Sequence, residues 1–268
     1  QLDPKHIFNQ WIINEFQKLY KDVQLNYQNY YFHEVANQLY HFTWHSFCDW
    51  YIELSKNLLD SDKYREETIF IFHLIFNSLL QLLHPVIPFI TEKLWSFNNK
   101  NILMTNQWNY QDIQIDNQSI EAANNFIEFI EEYRSIEKLF DIKKEHDVSI
   151  YSSNENLQNL FLENQEVFEF LTRKKLSSKS LLNGVSLPFK NFDYEIETDQ
   201  INKDKIIKKL SDNSETLKKE KTGIDKNLDN QNFVDRAPKD LIEQNKNRQN
   251  AISLELSKID SILSNLNG

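Results

Sequence analysis

The sequence predicts a mainly α-helical fold, with an antiparallel helical bundle, a small α/β subdomain and a C-terminal antiparallel coiled-coil hairpin. Three observations support this prediction. Only 3 Gly and 5 Pro occur in 268 residues, so few positions would interrupt a helix. Apolar residues recur at helical spacing over much of the chain. Near the C-terminus their spacing alternates between three and four residues, which is typical of a coiled coil.

Residues 1–97 are predicted to form the bundle. Four helices are expected there, marked by Trp11, Ile12, Phe16 and Leu19, then by Val35, Leu39, Phe42 and Phe47, then by Ile71, Leu74, Ile75, Leu79 and Leu82, and finally by Leu94 and Trp95. The most apolar segment, 69–90, contains several polar residues and two Pro. These interruptions favour a central bundle helix over a membrane span.

Residues 98–200 are predicted to form a connector followed by the small α/β subdomain. The connector covers 98–118. Beyond it, the pattern predicts an amphipathic helix over 126–140 and a short strand over 147–151. A further helix is expected over 156–171, and a strand or turn over 184–189.

Residues 201–268 are predicted to form the coiled-coil arm. One seam comprises Ile207, Leu210, Ser214, Leu217, Lys221, Ile224 and Leu228, and the other comprises Ile252, Leu256, Ile259, Leu263 and Leu266. The arm holds 13 basic and 11 acidic residues, whereas the rest of the chain holds 17 basic and 29 acidic residues. The arm is therefore the part most compatible with a polyanionic partner.

Charge and cysteine content exclude several classes of protein. The net charge is −10, and the single cysteine, Cys48, excludes a disulfide framework and a multi-cysteine zinc site. We therefore expect a cytoplasmic protein. No signal peptide is recognisable at the start of the chain. An initiator Met is also missing, which suggests a fragment or a cleaved product.

Three sequence runs then point to a family. Residues 39–56 read Leu-Tyr-His-Phe-Thr-Trp-His-Ser-Phe-Cys-Asp-Trp-Tyr-Ile-Glu-Leu-Ser-Lys, and this run closely resembles the anticodon-binding domain of the valyl-tRNA synthetase family. Residues 83–95, Leu-His-Pro-Val-Ile-Pro-Phe-Ile-Thr-Glu-Lys-Leu-Trp, are similar to the next marker of that family. Residues 233–238, Phe-Val-Asp-Arg-Ala-Pro, resemble the turn of its C-terminal coiled coil.

The resemblance implies the C-terminal part of a class I aminoacyl-tRNA synthetase. The bundle would receive the anticodon stem-loop of tRNA(Val), and the coiled coil would contact the tRNA elbow. The catalytic and editing domains would lie upstream, so this chain alone should be inactive. ATP would be used by that absent catalytic domain, and no cofactor is expected in this chain. We expect a monomer that needs no membrane.

Four residues are candidate tRNA-binding residues on the strength of the resemblance. Tyr31 and Phe32 would stack on unpaired anticodon bases, although both could instead be core residues. Arg236 and Lys239 would contact phosphates near the tip of the arm, although both could simply flank a coiled coil. We expect no catalytic residue and no metal site in the chain.

The second predicted helix carries two further features. Trp44, Phe47 and Trp50 share one face at α-helical spacing, which predicts packing in the core. His41, His45 and Cys48 also share one face and offer atoms that zinc accepts. Incidental histidines on a partly buried helix face explain this second pattern better than a metal site does.

Two alternatives to the valyl family remain open at this point. The chain could be a coiled-coil protein-interaction module that has lost RNA binding, because cations usual in the family are missing at Asn9-Gln10-Trp11 and Tyr30-Tyr31-Phe32. It could also be the equivalent part of an isoleucine-type synthetase.

Overall fold

The computed structural model describes residues 3–108, 110, 112–140, 148–152, 155–174, 176–177, 184–190, 192–197, 203–230 and 237–267. Two compact units are formed. The first contains Gln1–Glu131 with Glu166–Thr172, and the second contains Glu132–Gln165 with Arg173–Gly268. The three-domain division with boundaries at 97 and 200 stays a prediction.

The elements have the following bounds in chain order. They are α1 (Ile7–Gln28), α2 (Phe32–His41), a π-helical segment (Phe42–Tyr51), α3 (Ile52–Asp60), α4 (Arg65–Leu83), α5 (Pro88–Trp95), a 3₁₀ turn (Leu103–Thr105), α6 (Asn117–Phe140), β1 (Val148–Ser152), α7 (Glu155–Glu163), α8 (Gln165–Thr172), β2 (Leu176–Ser177), β3 (Gly184–Phe189), β4 (Phe192–Glu197), α9 (Lys203–Asp229) and α10 (Lys239–Asn267). The predicted mainly α-helical class is confirmed.

The first unit is an antiparallel bundle. Side-chain hydrogen bonds join Asn26 to Gln38 near one end of α1 and Asn9 to Tyr51 near the other. The helix that runs from α2 to α3 is therefore antiparallel to α1. Asn9 also donates a hydrogen bond to Thr68 at the start of α4, so α1 and α4 run in the same direction. The C-terminal ends of α1 and α4 consequently lie at the same end of the bundle.

The predicted apolar stripes form much of the bundle core. All four stripe residues of α1 are buried, as are the four predicted for the second helix. The helix α4 is, by its length and composition, long and apolar enough to cross a membrane. In this fold it packs against α1, α3 and α5, as predicted for a central bundle helix. The fourth helix also occurs as expected, beginning at Pro88.

The middle of the second bundle helix is π-helical, and this overturns one packing prediction. The Thr43 hydroxyl donates to the Leu39 carbonyl at 2.6 Å, at the point where α-helical bonding ends. Such side-chain competition for a helical carbonyl perturbs a helix locally. In the π segment the buried residues are Phe42, Phe47 and Tyr51, at intervals of five and four. Trp44, predicted to be in the core, is instead 52% exposed.

The second unit contains a four-stranded sheet in the order β2-β1-β4-β3, in which only β1 and β2 are parallel. The strand predicted over 147–151 is confirmed as β1, and the segment 184–189 is β3.

The predicted single helix over 156–171 is wrong. Two helices occur, because the chain turns at Asn164, whose side-chain amide donates to the Leu160 carbonyl at 2.7 Å.

An antiparallel pair of long helices, α9 and α10, completes the second unit. The first predicted seam holds for Leu210, Ser214 and Leu217, which are buried, but begins at Ile206 and not at Ile207. The buried apolar residues of α10 are Ile252, Ile259, Ile262 and Leu266. Toward the tip, polar contacts replace the apolar seam, since Gln249 donates to Asp225 and Arg248 pairs with Glu220 through two nitrogens.

Candidate nucleic-acid interface

The turn between α1 and α2 presents three consecutive aromatic residues to solvent. The chain leaves α1 through a Schellman arrangement, in which Tyr31 N–H bonds to Asn26 and Tyr30 N–H bonds to Tyr27. Tyr30 occupies the position usually taken by Gly and has a positive φ of 61°. A bulky residue there costs about 1–2 kcal/mol relative to an ordinary conformation. The turn therefore holds an unfavourable residue, and strain of this kind clusters at functional sites.

The aromatic rings of this turn are exposed but ordered by contacts with each other. Tyr30, Tyr31 and Phe32 are 78%, 53% and 57% exposed. The ring of Phe32 lies 6.1 Å from the rings of both Tyr27 and Tyr30. Ring edges and faces held in this way lose little freedom when a flat ligand stacks on them. We name Tyr27, Tyr30, Tyr31 and Phe32 the aromatic turn.

The aromatic turn is supported from below by half-buried groups. The ring of Tyr27 lies 5.7 Å from that of Trp108, and burial raises the pKa of the Tyr27 phenol. The Asn26 side chain donates to Gln38 at 3.0 Å and ties α1 to α2 beneath the turn. These contacts hold the turn in place. An aromatic surface held in this way favours recognition of a flat, unstacked group such as a nucleic-acid base.

The structure places the two predicted stacking residues together on the surface. The alternative that Tyr31 and Phe32 are core residues does not hold, because more than half of each residue is exposed. Sequence reasoning missed Tyr30 and Trp108. The run of three aromatics was a usable signal for Tyr30, but nothing local links Trp108 to a turn 78 residues earlier. That Tyr31 and Phe32 bind RNA stays a prediction.

The structure gives less information on Arg236 and Lys239, the two predicted phosphate-binding residues of the arm. Arg236 lies outside the described residues. Lys239 is the first residue of α10, and the structure describes only its place in that helix. Among the other arm cations, Lys219 pairs with Glu215 and Arg248 pairs with Glu220. Lys208, Lys218 and Lys246 are exposed. Their phosphate binding, like that of Arg236 and Lys239, is untested.

The described residues contain no cluster of three potential metal ligands. The rings of His41 and His45 lie 4.5 Å apart, and His45 Nδ1 lies 3.5 Å from Asp49 Oδ2. Cys48 is half-buried, and burial raises the pKa of its thiol, with the Asp49 carboxylate adding to the rise. A protonated thiol is a poor zinc ligand. The geometry here favours the interpretation of a helix face with exposed histidines.

Comparison with known proteins identifies the family. A family model described as the anticodon-binding domain of tRNA ligases matches residues 9–151. The chain belongs to this family. A second model, described as the valyl-tRNA synthetase tRNA-binding arm, matches residues 202–267. The aromatic turn lies inside the first match, and α9 and α10 lie inside the second.

The individual relatives to which this chain is similar include several valine–tRNA ligases. A valine–tRNA ligase of Pelagibacter ubique is 32% identical over 270 residues, which cover 96% of this chain and 31% of the relative. The valine–tRNA ligase of Mycoplasma mycoides is 31% identical, over 90% of this chain and 28% of its own length. That of Borrelia garinii is 30% identical, over 99% and 32%.

The chain thus spans about 30% of the length of these curated relatives and corresponds to the C-terminal part of valine–tRNA ligases. The resemblance to the valyl family stated from the sequence is confirmed. The isoleucine-type alternative and the protein-interaction alternative are not favoured. The catalytic domain of a ligase is absent from this chain.

Proposed function

We propose that this chain is the tRNA-holding part of a valine–tRNA ligase, and that it positions tRNA(Val) for ATP-dependent aminoacylation by a catalytic domain supplied upstream. The aromatic turn carries the proposal. Three consecutive aromatic residues are exposed at one end of a helical bundle, and this bundle belongs to an anticodon-binding family. Stacking of an unpaired base on an aromatic ring stabilises a complex by about 1–3 kcal/mol.

The proposed role of this chain is to position the tRNA. Binding energy gained at the anticodon and elbow, far from the reacting 3′ end, holds the acceptor end where reaction can occur. Tyr31 and Phe32 would stack on anticodon bases. Arg236 and Lys239 would neutralise phosphates near the arm tip. The predicted three domains would divide these tasks, with 1–97 at the anticodon, 98–200 as connector and subdomain, and 201–268 at the elbow.

Charge distribution shapes how the proposed complex would form. The chain has a net charge of −10, so long-range steering of RNA by the whole chain is repulsive. Docking would therefore depend on local stacking and on the arm, whose net charge is positive. We further propose that the protein acts as a cytoplasmic monomer with no cofactor of its own, joined covalently or non-covalently to the catalytic and editing domains.

A salt titration with three RNA transcripts tests this function. They are tRNA(Val), the same tRNA with a changed anticodon, and the same tRNA without its elbow loops. We expect binding to weaken with either change, and a log–log salt slope of about −2 to −4, as for a few phosphate contacts. Equal binding of all three transcripts, or none at any salt concentration, would overturn the proposal.

A further inference from the structure

The antiparallel helices α9 and α10 bury residues against each other over only part of their length. Leu217 is the last buried residue of α9 toward the tip, and Ile252 is the first residue of α10 that the structure shows to be buried. Among the helix residues between them whose burial the structure describes, 218–229 and 241–251, none is buried. We name these two ranges the distal segment of the arm. The base of the arm is α9 up to Leu217 and α10 from Ile252 onward.

The base of the arm is held by contacts with the rest of the second unit. The helix α10 packs against β3, and the Asn265 side-chain amide donates to the Ser186 carbonyl of that strand at 2.6 Å. The Lys258 ammonium donates to the Glu132 carboxylate of α6 at 2.7 Å. The base therefore combines a buried apolar seam with contacts outside the arm, and both must break before the base can open.

The two helices of the distal segment are joined by polar side chains. Arg248 donates to Glu220 through two nitrogens, at 2.7 and 2.9 Å, and Gln249 donates to Asp225 at 2.5 Å. The Arg248 and Glu220 side chains are 47% and 40% exposed. Because exposed ion pairs stabilise a fold little and are screened by salt, the distal segment is held more weakly than the base.

The distal segment also contains residues that weaken a helix or a helix pair. Apart from its own helix backbone and chain neighbours, no described atom lies within 4 Å of the place that a Cβ would take at Gly223. Packing therefore does not require this Gly, which destabilises a helix relative to Ala. The Thr222 hydroxyl donates to the Lys218 carbonyl at 2.8 Å, and such bonds slightly destabilise helices. Asn245 lies one heptad before Ile252, where a coiled coil ordinarily holds an apolar residue.

We infer that the distal segment opens and closes as a unit while the base stays closed, with the boundary between them at Leu217 and Ile252. Local opening of this kind occurs where buried contacts are few and the helix is exposed to solvent. The consequence rests on the proposed function, because RNA that contacts only the closed distal segment stabilises it. A tRNA elbow is then bound and released as the distal segment orders and opens, without movement of the base.

Hydrogen–deuterium exchange of the full chain tests the boundary. After correction for the intrinsic rate of each amide, distal amides should exchange at least about tenfold faster than those beside buried base residues such as Leu210 and Ile259. Raising NaCl from about 0.05 M to about 0.5 M should widen this difference, because salt screens the pair of Arg248 and Glu220. Equal exchange in the two parts at both salt concentrations would mean that the arm opens as one body, and would overturn the inference.

Variants assign the opening to the distal segment. Gly223→Ala should slow distal exchange about three- to fivefold, because Ala favours the closed helix, and should leave the base unchanged. Asn245→Leu should slow distal exchange about tenfold or more by extending the apolar seam. Asn213→Ala is the matched control, since it raises helix propensity at an exposed position of the same helix within the base. If Asn213→Ala slows distal exchange as much as Gly223→Ala does, the two parts open together and the inference is wrong.

The same measurement with tRNA separates this inference from the proposed function. Complete tRNA(Val), at about ten times its dissociation constant, should slow distal exchange about tenfold, whereas tRNA(Val) without its elbow loops should leave it unchanged. If the complete tRNA binds and distal exchange stays the same, the coupling of this opening to tRNA is overturned. If no tRNA binds at any salt concentration, the proposed function fails, while faster distal exchange in the free chain still supports the boundary.

Discussion

The phenol of Tyr51 donates a hydrogen bond of 2.9 Å to the side-chain oxygen of Asn9, and both residues are fully buried. The amide nitrogen of Asn9 in turn donates to Glu67 at 2.8 Å and to Thr68 at 3.1 Å. One side chain of α1 therefore joins the π segment to α4. Because buried polar groups are costly when they lose partners, this network fixes the relative register of three helices.

Replacing Tyr51 by Phe should destabilise the chain by about 1–3 kcal/mol, because the Asn9 oxygen would lose its donor in a buried site. Asn9→Ala should cost more, since it removes three hydrogen bonds at once and leaves the buried Tyr51 hydroxyl without its acceptor. Urea unfolding measures both effects. The matched control is Tyr40→Phe, which removes an exposed hydroxyl from the same long helix and should change stability by less than about 0.5 kcal/mol. Equal effects at positions 51 and 40 would contradict the network.

His6 should make the bundle sensitive to mild acid. It is buried at the start of α1, and desolvation lowers the pKa of its imidazole to about 4, despite an opposing effect of Glu67. The imidazole of His6 binds a proton more readily in the unfolded chain than in the folded one. The stability that the neutral His6 contributes is therefore complete above about pH 6.5 and is lost as the pH falls toward 4.

The expected loss between pH 7 and pH 5 is about 2 kcal/mol in the free energy of unfolding. His6→Asn should remove much of this pH dependence, because Asn can still accept the hydrogen bond that His6 Nδ1 receives from the Phe8 N–H. His73→Asn, at an exposed position, should leave the dependence intact. A His6→Asn variant with an unaltered pH profile would show that another group is responsible.

Phe32→Ala should weaken binding of the anticodon stem-loop by about 1–3 kcal/mol, which is five- to 150-fold, because a stacking plane is lost. Phe32→Tyr should bind almost normally. Phe97 offers a control, since it is an exposed Phe of the same unit that does not belong to the aromatic turn. Fluorescence anisotropy with labelled RNA gives the comparison. If Phe97→Ala and Phe32→Ala weaken binding alike, stacking at the turn is not the cause.

Ser214→Ala should stabilise the hairpin of α9 and α10 by about 1 kcal/mol. The Ser214 hydroxyl is buried in the seam, and no described residue forms a hydrogen bond with its oxygen. Its removal relieves a desolvation penalty, and Ala also favours the helix. Ser211→Ala, on the exposed side of α9, should give only the propensity gain of a few tenths of a kcal/mol. Thermal unfolding distinguishes the two, and destabilisation at 214 would mean that the hydroxyl has a partner.

Much of the bundle could be predicted because its core follows α-helical spacing, as Trp11, Ile12, Phe16 and Leu19 illustrate. The π segment could not, since hydrophobic periodicity does not report a change from i→i+4 to i→i+5 bonding. Trp44 was misplaced for that reason. The break at Asn164 was missed because the side-chain bond that stabilises it leaves no periodic signal.

The candidate site was only partly predictable from the sequence. Tyr31 and Phe32 followed from family resemblance, and their exposure agrees with it. The left-handed conformation of Tyr30 could not be anticipated, because Tyr seldom adopts it. The support from Trp108 depends on a contact across most of the first unit, which local patterns do not encode.

The π-helical segment also gives the second bundle helix a point where its phase can be adjusted. The Ile52 N–H bonds to the Phe47 carbonyl, five residues back. Elsewhere in an α-helix, deletion of one residue swings all later side chains by about 100° and moves them off the core. A deletion of one residue between Phe42 and Tyr51 can instead change the backbone hydrogen bonds from the i→i+5 to the i→i+4 pattern. The side chains of α2 and α3 then face the same neighbours as before. A deletion of one residue is thus less harmful in this segment than in the α-helical parts of the bundle.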